Sequence, residues 1–329
     1  MILFKKFFAP IALLLCFTLP LSLTGCSASS AQPFSKTGFY FDTVISLTCY
    51  GNDAQAVLNE AFELCGHYEN LLSYTKEGSD IWNINHANGQ PVTVDSETAS
   101  LLQTALYWSE KTDGLIDPTI TPISQLWNFS GDPAGPVPKQ SQINALLPHV
   151  DYHNIRIDGN TVTLADPDAQ LDLGFLAKGA IADRLKAFFL QKNITSALIN
   201  LGGNVLAVGQ KPDGTAFRTG IKSRFLKQTS WSISSLKDQS LVSSGNYERC
   251  FQKGVLYHHI QTLAPVIPSD TGLSSVTILS DSSTDGDALS TSCFLLDMKG
   301  RELIDSCRML ATIPLSDGTI YRTDGFPQS

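Results

Sequence analysis

Two polar side chains near the C-terminal end of the sequence have the chemistry and spacing of a metal site. Asp287 and Thr291 are four residues apart in a segment whose pattern predicts a helix from about Asp285 to Met298. Residues four apart project from one face of a helix, one turn from each other. A carboxylate and a hydroxyl presented together are hard oxygen ligands suited to Mg²⁺, which completes its octahedron with water and substrate phosphate. The same pair could instead be an acid near a helix start and a solvated threonine.

A glycine-containing segment in the middle of the chain could bind the phosphate. Leu171–Asp183 reads Leu-Asp-Leu-Gly-Phe-Leu-Ala-Lys-Gly-Ala-Ile-Ala-Asp, which predicts a short buried strand, a glycine turn and the start of an amphipathic helix. A helix start exposes backbone N–H groups and the positive end of the helix dipole, both of which favour phosphate oxygens. Such a joint can also do no more than turn the chain.

Three other short segments carry groups that could take part in the same chemistry. Gly202-Gly203 separates two apolar strands, where a ligand or backbone can approach closely or the chain can make a tight turn. His258-His259 ends an apolar segment, so a histidine there could be a general base, a phosphate contact or a strand residue without chemistry. Asp117 precedes a proline and could bind a ligand donor, although an aspartate in this position often caps its own turn.

The elements that must position these residues change in type along the chain. Periodicity predicts helices from about Asp53 to Leu72 and from Ser96 to Thr112, and a strand over Phe39–Cys49. Ile155–Leu164 is predicted to be a hairpin, and residues 130–139 a loop. After the 171–192 unit, β patterns dominate, at 196–201, 204–209, 216–221, 230–234, 240–243, 255–260, 273–280 and 319–322. Because the predicted helices cluster in the first part of the chain and the predicted strands in the later part, we expect an α+β fold rather than a doubly wound sheet.

The pattern of residues at the N-terminus predicts that the protein is exported across the cell membrane. Lys5 and Lys6 precede an apolar segment that ends in Leu-Thr-Gly-Cys26, which is typical of a secretory signal peptide and not of a spanning helix. The ending resembles a bacterial lipobox, although an ordinary signal peptide with a chance cysteine is the alternative. The resemblance implies a signal peptide at residues 1–25, lipidation of Cys26 and a tether at residues 26–36. The protein would then be anchored by lipid to the outer face of the cell membrane.

Charge and cysteine content limit the classes of protein and of metal site that the chain can represent. The chain has 23 Lys and Arg against 31 Asp and Glu, a formal net charge of −8, which argues against a nucleic-acid partner. Of seven cysteines, five lie beyond Cys26, without the spacing of a zinc site. They are expected to be mostly buried small apolar residues with at most one or two disulfides. Because the net charge is negative, any phosphate site must be confined to one part of the molecule and be built from backbone dipoles and a metal.

Taken together, these segments resemble the ApbE family of FAD:protein FMN transferases. The resemblance runs from about Gly38 to Phe326, and its motifs occur in the order of the family. They are Phe41–Val44, Leu72–Tyr74 with Ser79–Ile81 and Asn85, Thr112–Thr119 with Leu126–Phe129, Leu171–Asp183, Asn200–Asn204, Ser244–Arg249, Tyr257–Ile260 and Asp287–Thr291. The resemblance implies a single large α+β domain at residues 37–329, related to the T-fold, with layered helices and mostly antiparallel sheets.

The resemblance also implies an activity and a set of site residues. Family members bind FAD and Mg²⁺, transfer the FMN half of FAD to a threonine or serine hydroxyl of an extracytoplasmic electron-transfer protein, and release AMP. The implied metal ligands are Asp287, Thr291 and the backbone carbonyl of Ala177. Lys178 and His259 are implied helpers in charge neutralisation and proton transfer, beside Asp287. The implied flavin contacts are Phe41, Tyr74, Leu115, Ile116, Asp117, Gly174, Ala180 and Ile260.

Several positions depart from the pattern of the family. Thr262, Pro265 and Val266 stand where the family has aspartate, threonine and glycine, and Phe175 replaces a glycine of the phosphate turn. Leu115-Ile116 replaces an Ala-Phe pair. Two alternatives to transfer therefore remain: hydrolysis of FAD to FMN and AMP, and a flavin-binding lipoprotein that kept the fold without catalysis.

Overall fold

An eight-stranded antiparallel sheet organises the computed structural model of the chain. The structure describes residues 32–127, 129, 137–221, 232–247, 250–253, 255–260, 273–296, 300–307, 310–314 and 319–327, all within one compact unit, Ala31–Ser329. The predicted signal peptide and most of the predicted tether lie outside the described residues. So does the segment 261–268, called the altered segment because it contains the departures at Thr262, Pro265 and Val266. No helix in the described part of the chain is long and apolar enough to cross a membrane.

The strands and helices are numbered in chain order. The strands are β1 Phe34–Tyr40, β2 Thr43–Cys49, β3 Val92–Thr93, β4 Ile155–Asp158, β5 Thr161–Leu164, β6 Ser196–Leu201, β7 Asn204–Gly209, β8 Phe217–Ile221, β9 Ser232–Leu236, β10 Ser240–Gly245, β11 Cys250–Lys253, β12 Val255–His258, β13 Ser275–Ser280, β14 Leu310–Pro314 and β15 Ile320–Arg322. The helices are α1 Ala54–Leu72, α2 Asp80–Asn85, α3 Ser96–Lys111, α4 Thr121–Trp127, α5 Gln140–Leu146, α6 Ala177–Gln191, α7 Ser283–Leu296 and α8 Gly300–Cys307, with 3₁₀ turns at Leu147–His149 and Tyr152–Asn154.

The main sheet has the order β1-β2-β6-β7-β10-β13-β14-β15, and every neighbouring pair is antiparallel. Helices α1, α6 and α7 pack on one face of this sheet. On the opposite face, the β8–β9 hairpin contributes Phe217 and Leu236 to a cluster with Val205 and Leu241. A three-stranded sheet, β3-β5-β4, forms beside α3. The predicted α+β fold with mostly antiparallel sheets is therefore confirmed.

Apolar periodicity explains why the helices pack where they do. In β2, Ile45 and Leu47 point inward and contact the apolar face of α1, and α6 adds Leu185 and Phe189 to the same cluster. All four side chains are fully buried. Removing such side chains from water contributes roughly 1.5–3 kcal/mol each. The predicted helices at Asp53–Leu72 and Ser96–Thr112 correspond to α1 and α3, because this periodicity is strong over several turns.

The prediction of one strand over Phe39–Cys49 is wrong. β1 and β2 form a hairpin in which Tyr40 pairs with Thr43 and the turn residues Phe41 and Asp42 have φ of 56° and 55°. The alternation of side chains continues through a two-residue turn, and this turn contains neither Gly nor Asn, so the sequence does not reveal it. β1 also begins at Phe34, three residues before the predicted domain start at 37.

The predicted buried strand before the phosphate turn is also absent. Residues 171–173 are not in a strand, and the nearest pairing in the described chain is an isolated bridge between Ile120 and Gln170. The side chain of Asn85 occupies the place of a neighbouring strand: its Oδ1 accepts a hydrogen bond from the Leu171 N–H at 2.6 Å, and its Nδ2 donates to the Leu171 carbonyl at 3.0 Å. A side chain 86 residues away thus satisfies this backbone, which sequence periodicity cannot show.

The other differences concern short elements and element ends. Helices α2, α4, α5 and α8 and strands β3, β11 and β14 are not predicted, since elements of one or two turns or of a few strand residues carry little periodic signal. β12 ends at His258, so the predicted strand 255–260 is two residues too long. The hairpin at residues 155–164 is confirmed, as is the pair β6–β7. All five cysteines beyond Cys26 are free, and Cys49, Cys65 and Cys293 are buried. Only residues 137–139 of the predicted loop 130–139 are described.

Candidate active site

A cavity of about 780 Å³ opens where the main sheet meets the ends of several helices. Small-molecule and cofactor sites usually have volumes of roughly 300–1,000 Å³, so this one is large enough for such a ligand. Its walls come from the β1–β2 turn, the segment after α1, the loop 115–120, the turn 172–178, the end of β10 and one face of α7. Elements far apart in sequence therefore contribute to one site.

The N-terminal turns of α6 and α7 meet at the inner end of this cavity. Asp183 of α6 caps α7, accepting hydrogen bonds from the backbone N–H groups of Ser283 at 3.0 Å and Thr284 at 2.9 Å. In return, Asp287 of α7 accepts a hydrogen bond from the Gly179 N–H in the first turn of α6, at 2.9 Å. Two helix N-termini are thereby brought together, and their dipoles favour negative charge at this point.

Glycine at position 179 is what lets the two helices approach so closely. A Cβ built on Gly179 would lie 2.3 Å from the Ser283 carbonyl oxygen and 2.8 Å from the Thr284 Cα. Both are backbone atoms and cannot rotate away. The sequence singled out the turn containing Gly179 for phosphate binding, whereas the structure shows that this glycine is required for contact between helices.

The carboxyl of Asp287 is buried at 3 % exposure. None of the ion pairs between described residues includes it, so the nearest cationic influence is the charge of Lys178 beyond ion-pair distance. Burial raises the pKa of Asp287, whereas the charge of Lys178, the Gly179 N–H and the Asn204 side chain act to lower it. A divalent cation at this carboxyl would favour the ionised form. A buried carboxyl in need of a cation fits a magnesium ligand.

Hydroxyl groups lie next to this carboxyl. Thr291, one turn along α7, lines the cavity, and its Oγ1 is 3.2 Å from the Oγ of Ser244 in β10. Asn204 of β7 also lines the cavity. Its Oδ1 accepts a hydrogen bond from the Ser283 Oγ at 2.8 Å, and its side-chain amide acts on the Asp287 carboxyl, whose pKa it lowers. Polar groups from β7, β10 and α7 thus surround the buried carboxyl.

The cavity brings together nearly all the residues that sequence analysis selected. Ala177, Lys178, Asp287, Thr291 and His259 line it, as do Phe41, Tyr74, Leu115, Ile116, Asp117, Gly174 and Ile260. Ala180 does not. It lines a smaller cavity of about 190 Å³ between α1, α3 and α6. Phe175, the residue that replaces a glycine of the family turn, lines the main cavity.

The two adjacent histidines point to different sides of their segment. His258 is 2 % exposed and packs edge-on against Phe294, with ring centroids 5.5 Å apart and planes at 89°. His259 is exposed and lines the cavity. Only His259 is therefore placed to exchange a proton with a ligand in the cavity. Lys178 also lines the cavity, and its Nζ donates a hydrogen bond to the Gly174 carbonyl at 3.3 Å.

Asp117 holds its own loop together. Its Oδ1 accepts hydrogen bonds from the Thr119 N–H at 2.8 Å and the Thr119 Oγ1 at 2.6 Å, and its Oδ2 accepts one from the Tyr152 N–H at 2.9 Å. Burial raises the pKa of this carboxyl and the three hydrogen bonds lower it. The carboxylate thus caps its turn and ties the loop to a neighbouring 3₁₀ turn, so its contribution to the cavity is to fix the wall.

Backbone strain shapes the wall formed by β1, β2 and β6. Phe41 adopts a left-handed conformation, which costs a non-glycine residue roughly 1–2 kcal/mol, and its N–H donates to the Glu69 Oε1 at 2.9 Å. Gly202 and Gly203 form a two-residue turn between β6 and β7, with φ of 63° and 97°. A Cβ on Gly202 would lie 2.3 Å from the Thr43 Oγ1. The Gly-Gly pair is thus a tight turn whose first residue also lines the cavity.

Sequence analysis did not select three polar residues of this site. Asn204 belongs to the motif Asn200–Asn204, Ser244 to the motif Ser244–Arg249, and Asp183 ends the motif Leu171–Asp183. The sequence predicts no role for any of the three. Their positions beside Asp287 and Thr291 depend on strand order and on the meeting of α6 and α7. The presence of Asn204 and Ser244 in short polar motifs at strand ends was the available signal.

Comparisons with known proteins identify the family of the chain and agree with its fold. The ApbE family profile matches residues 41–313. An FAD:protein FMN transferase of Treponema pallidum is 30% identical over 321 residues, covering 89% of this chain and 85% of the relative. One of Klebsiella pneumoniae is 35% identical over 276 residues, covering 82% of this chain and 85% of the relative.

Solved structures show the same architecture. The ApbE protein of Thermotoga maritima superposes with a TM-score of 0.83 at 29% identity, covering 89% of this chain and 97% of that one. The flavin transferase ApbE of Vibrio cholerae has a TM-score of 0.81 at 24% identity, which bears on the fold alone. It covers 90% of this chain and 98% of that one. The chain therefore belongs to the ApbE family of transferases.

Proposed function

We propose that the protein is a Mg²⁺-dependent FAD:protein FMN transferase. It moves the FMN half of FAD to a threonine or serine hydroxyl of an extracytoplasmic electron-transfer protein and releases AMP. The observation that carries the proposal is the buried Asp287 carboxyl, held by the Gly179 N–H at the meeting of two helix N-termini in a ligand-sized cavity. A polyanionic substrate with a bound cation matches both the charge and the volume of this site.

The cavity has separate parts for the flavin and the phosphates. Phe41, Tyr74, Leu115, Ile116 and Ile260 supply an apolar wall that suits the flavin ring, with Gly174 at the turn and Asp117 fixing the loop. The side chains of Asp287 and Thr291 and the carbonyl of Ala177 would hold Mg²⁺, which would neutralise charge on the pyrophosphate. The assignment of Ala180 to the flavin contacts rests on resemblance to the family, because Ala180 lines the smaller cavity.

In the proposed reaction, an acceptor hydroxyl attacks the phosphorus of the FMN half. A new P–O bond forms to the acceptor oxygen, and the P–O bond to AMP breaks. Little covalent work falls to the protein, so catalysis depends on in-line positioning and on neutralising developing charge. Lys178 and the N–H groups at the start of α6 supply positive potential beside the phosphates. His259 accepts the proton of the hydroxyl, since it is the histidine that lines the cavity.

We further propose that the protein works outside the cell membrane as a lipoprotein. Residues 1–25 would be removed as a signal peptide, and Cys26 would carry the lipid. Because β1 begins at Phe34, the tether in this proposal spans residues 26–33 rather than 26–36. The support is the charged start, the apolar segment and the Leu-Thr-Gly-Cys ending.

One incubation separates transfer from the two alternatives. The chain from residue 27 onward is mixed with FAD, Mg²⁺ and a protein domain bearing acceptor threonines. Covalent flavin fluorescence on the domain together with AMP release supports transfer. AMP without labelling supports hydrolysis, which the altered segment 261–268 makes the nearest alternative. FAD binding without AMP release contradicts both enzymatic functions and leaves a flavin-binding lipoprotein.

A matched pair of variants tests the metal site. Asp287→Asn removes the buried charge at nearly constant shape and is expected to lower Mg²⁺-dependent AMP release by about 100-fold or more, as loss of a key electrostatic group does. Asp281→Asn makes the same change at an exposed position just before α7 and is expected to leave turnover unchanged. Circular dichroism checks that both variants are folded. Equal turnover of the two would remove Asp287 from the metal site.

A further inference from the structure

The mouth of the cavity carries an exposed apolar pair. Phe39 in β1 and Val44 in β2 are directly opposite each other in the hairpin register. They are 68% and 60% exposed, more than any other large hydrophobic residue in the described chain. Both also line the cavity, next to the turn that carries Phe41. Scattered apolar residues on a surface are ordinary, but two in contact at the mouth of a reaction site form a patch.

The strand that carries Phe39 is at the edge of the main sheet. β1 is the first strand in the order β1-β2-β6, so one side of its backbone has no neighbouring strand in the described structure. An edge strand presents unpaired N–H and C=O groups that can pair with an extended segment of another chain. Main-chain pairing gives such complexes affinity, and pockets or patches for side chains give them specificity. The edge and the apolar pair lie on the same hairpin, beside the cavity.

We propose that the Phe39–Val44 pair and the edge of β1 dock the acceptor protein, through an extended segment with an apolar side chain close to its acceptor threonine or serine. This inference rests on the proposed transferase function. Serine and threonine have short side chains, so the acceptor backbone must come to the mouth of the cavity for its hydroxyl to reach a phosphorus inside. Residues flanking the hydroxyl then contact the rim, and at this hairpin the rim is apolar.

Enzyme variants and an acceptor library test the inference together. The double variant Phe39→Thr/Val44→Thr places threonine, a residue that favours strands, at both positions and removes most of the apolar surface. Phe34→Thr is the matched control, because Phe34 is 43% exposed on the same strand but does not line the cavity. The probe is a displayed library of 12-residue peptides with one fixed central threonine, incubated with enzyme, FAD and Mg²⁺. Peptides that acquire flavin fluorescence are sorted and sequenced.

The wild-type protein and Phe34→Thr are expected to select peptides with apolar residues next to the threonine. The double variant is expected to lose this selection and to have about 10- to 100-fold lower kcat/KM on the best peptide, the range found when central interface residues are truncated. FAD affinity, followed by flavin fluorescence, is expected to stay within about twofold, since a docking surface for protein contributes little to binding FAD.

Four results would overturn the inference, and they have three different meanings. Selection without apolar preference, or an undiminished kcat/KM in the double variant, shows that the acceptor does not dock on this pair. A parallel loss of FAD affinity shows that the pair contacts FAD itself. If the wild-type protein binds FAD but labels no peptide and no acceptor domain, the transferase function fails, and the docking inference fails with it.

Discussion

Substituting Gly179 by alanine tests whether the contact between α6 and α7 builds the site. The added Cβ would lie 2.3 Å from the Ser283 carbonyl oxygen, whereas ordinary contacts begin at 3.4 Å. Because its neighbours are backbone atoms, relief requires the two helices to separate by about 1 Å. The same movement stretches the hydrogen bond from the Gly179 N–H to the Asp287 Oδ2, now 2.9 Å long. The substitution therefore acts on stability and on the proposed metal ligand together.

Opposing effects determine how much the Gly179→Ala substitution changes the free energy of unfolding. Replacing glycine by alanine inside a helix stabilises by about 1 kcal/mol. Overfilling a packed contact costs about 1–3 kcal/mol, and weakening a hydrogen bond to a charged group costs about 1.5–3 kcal/mol when the bond is lost entirely. We expect a net destabilisation of about 1–3 kcal/mol. A displacement of about 1 Å at a reacting centre lowers turnover on the order of 100-fold.

Gly66→Ala is the matched control. Gly66 also lies inside a helix, α1, but a Cβ there would meet only the Tyr40 ring, at 3.7 Å. Its substitution should raise stability by about 1 kcal/mol and leave turnover unchanged. Thermal denaturation followed by circular dichroism, together with AMP release from FAD, measures both variants. A Gly179→Ala protein as stable and as active as Gly66→Ala would refute the close contact described here.

Three further predictions concern other parts of the fold. Ser79→Ala removes the N-cap of α2, whose Oγ accepts a backbone N–H at 3.0 Å, and should lower the free energy of unfolding by about 1 kcal/mol in urea titrations. Gly202→Ala should cost about 1–3 kcal/mol more than Gly203→Ala, because both have positive φ but only the first meets Thr43; equal Tm values would contradict this. Burial raises the pKa of the Cys65 thiol from 9.0 to about 12, so stability should fall as pH rises above 9. At pH 10 the loss from Cys65 is about 1.4 kcal/mol, and Cys65→Ala should remove this share of the decline between pH 8 and 10, while the shares of the buried thiols of Cys49 and Cys293 remain.

Strong local patterns made the long elements predictable. The apolar face of α1 follows from helical spacing, and the hairpin at residues 155–164 from Asp-Gly-Asn between two alternating segments. Short elements such as α2 and β11 were missed, because one or two turns or four residues carry too little pattern. The β1–β2 turn was missed because Phe41 is not typical of positive φ and the turn contains no glycine, although Asp42 tolerates the left-handed region.

The sequence by itself determined most of the residues that line the cavity, since ordered motifs preserve residue type and spacing; Ala180 is the exception among those selected. It selected Asp287, Thr291 and the turn before α6 on grounds of chemistry, and all of them line one cavity. Only the tertiary structure decided what each group does there. It showed that Gly179 permits helix contact, that Asp117 caps its own turn and that His259, not His258, lines the cavity. The physical reason is that charge, burial and hydrogen-bond partners depend on residues far apart in sequence, and local patterns contain no information about such partners.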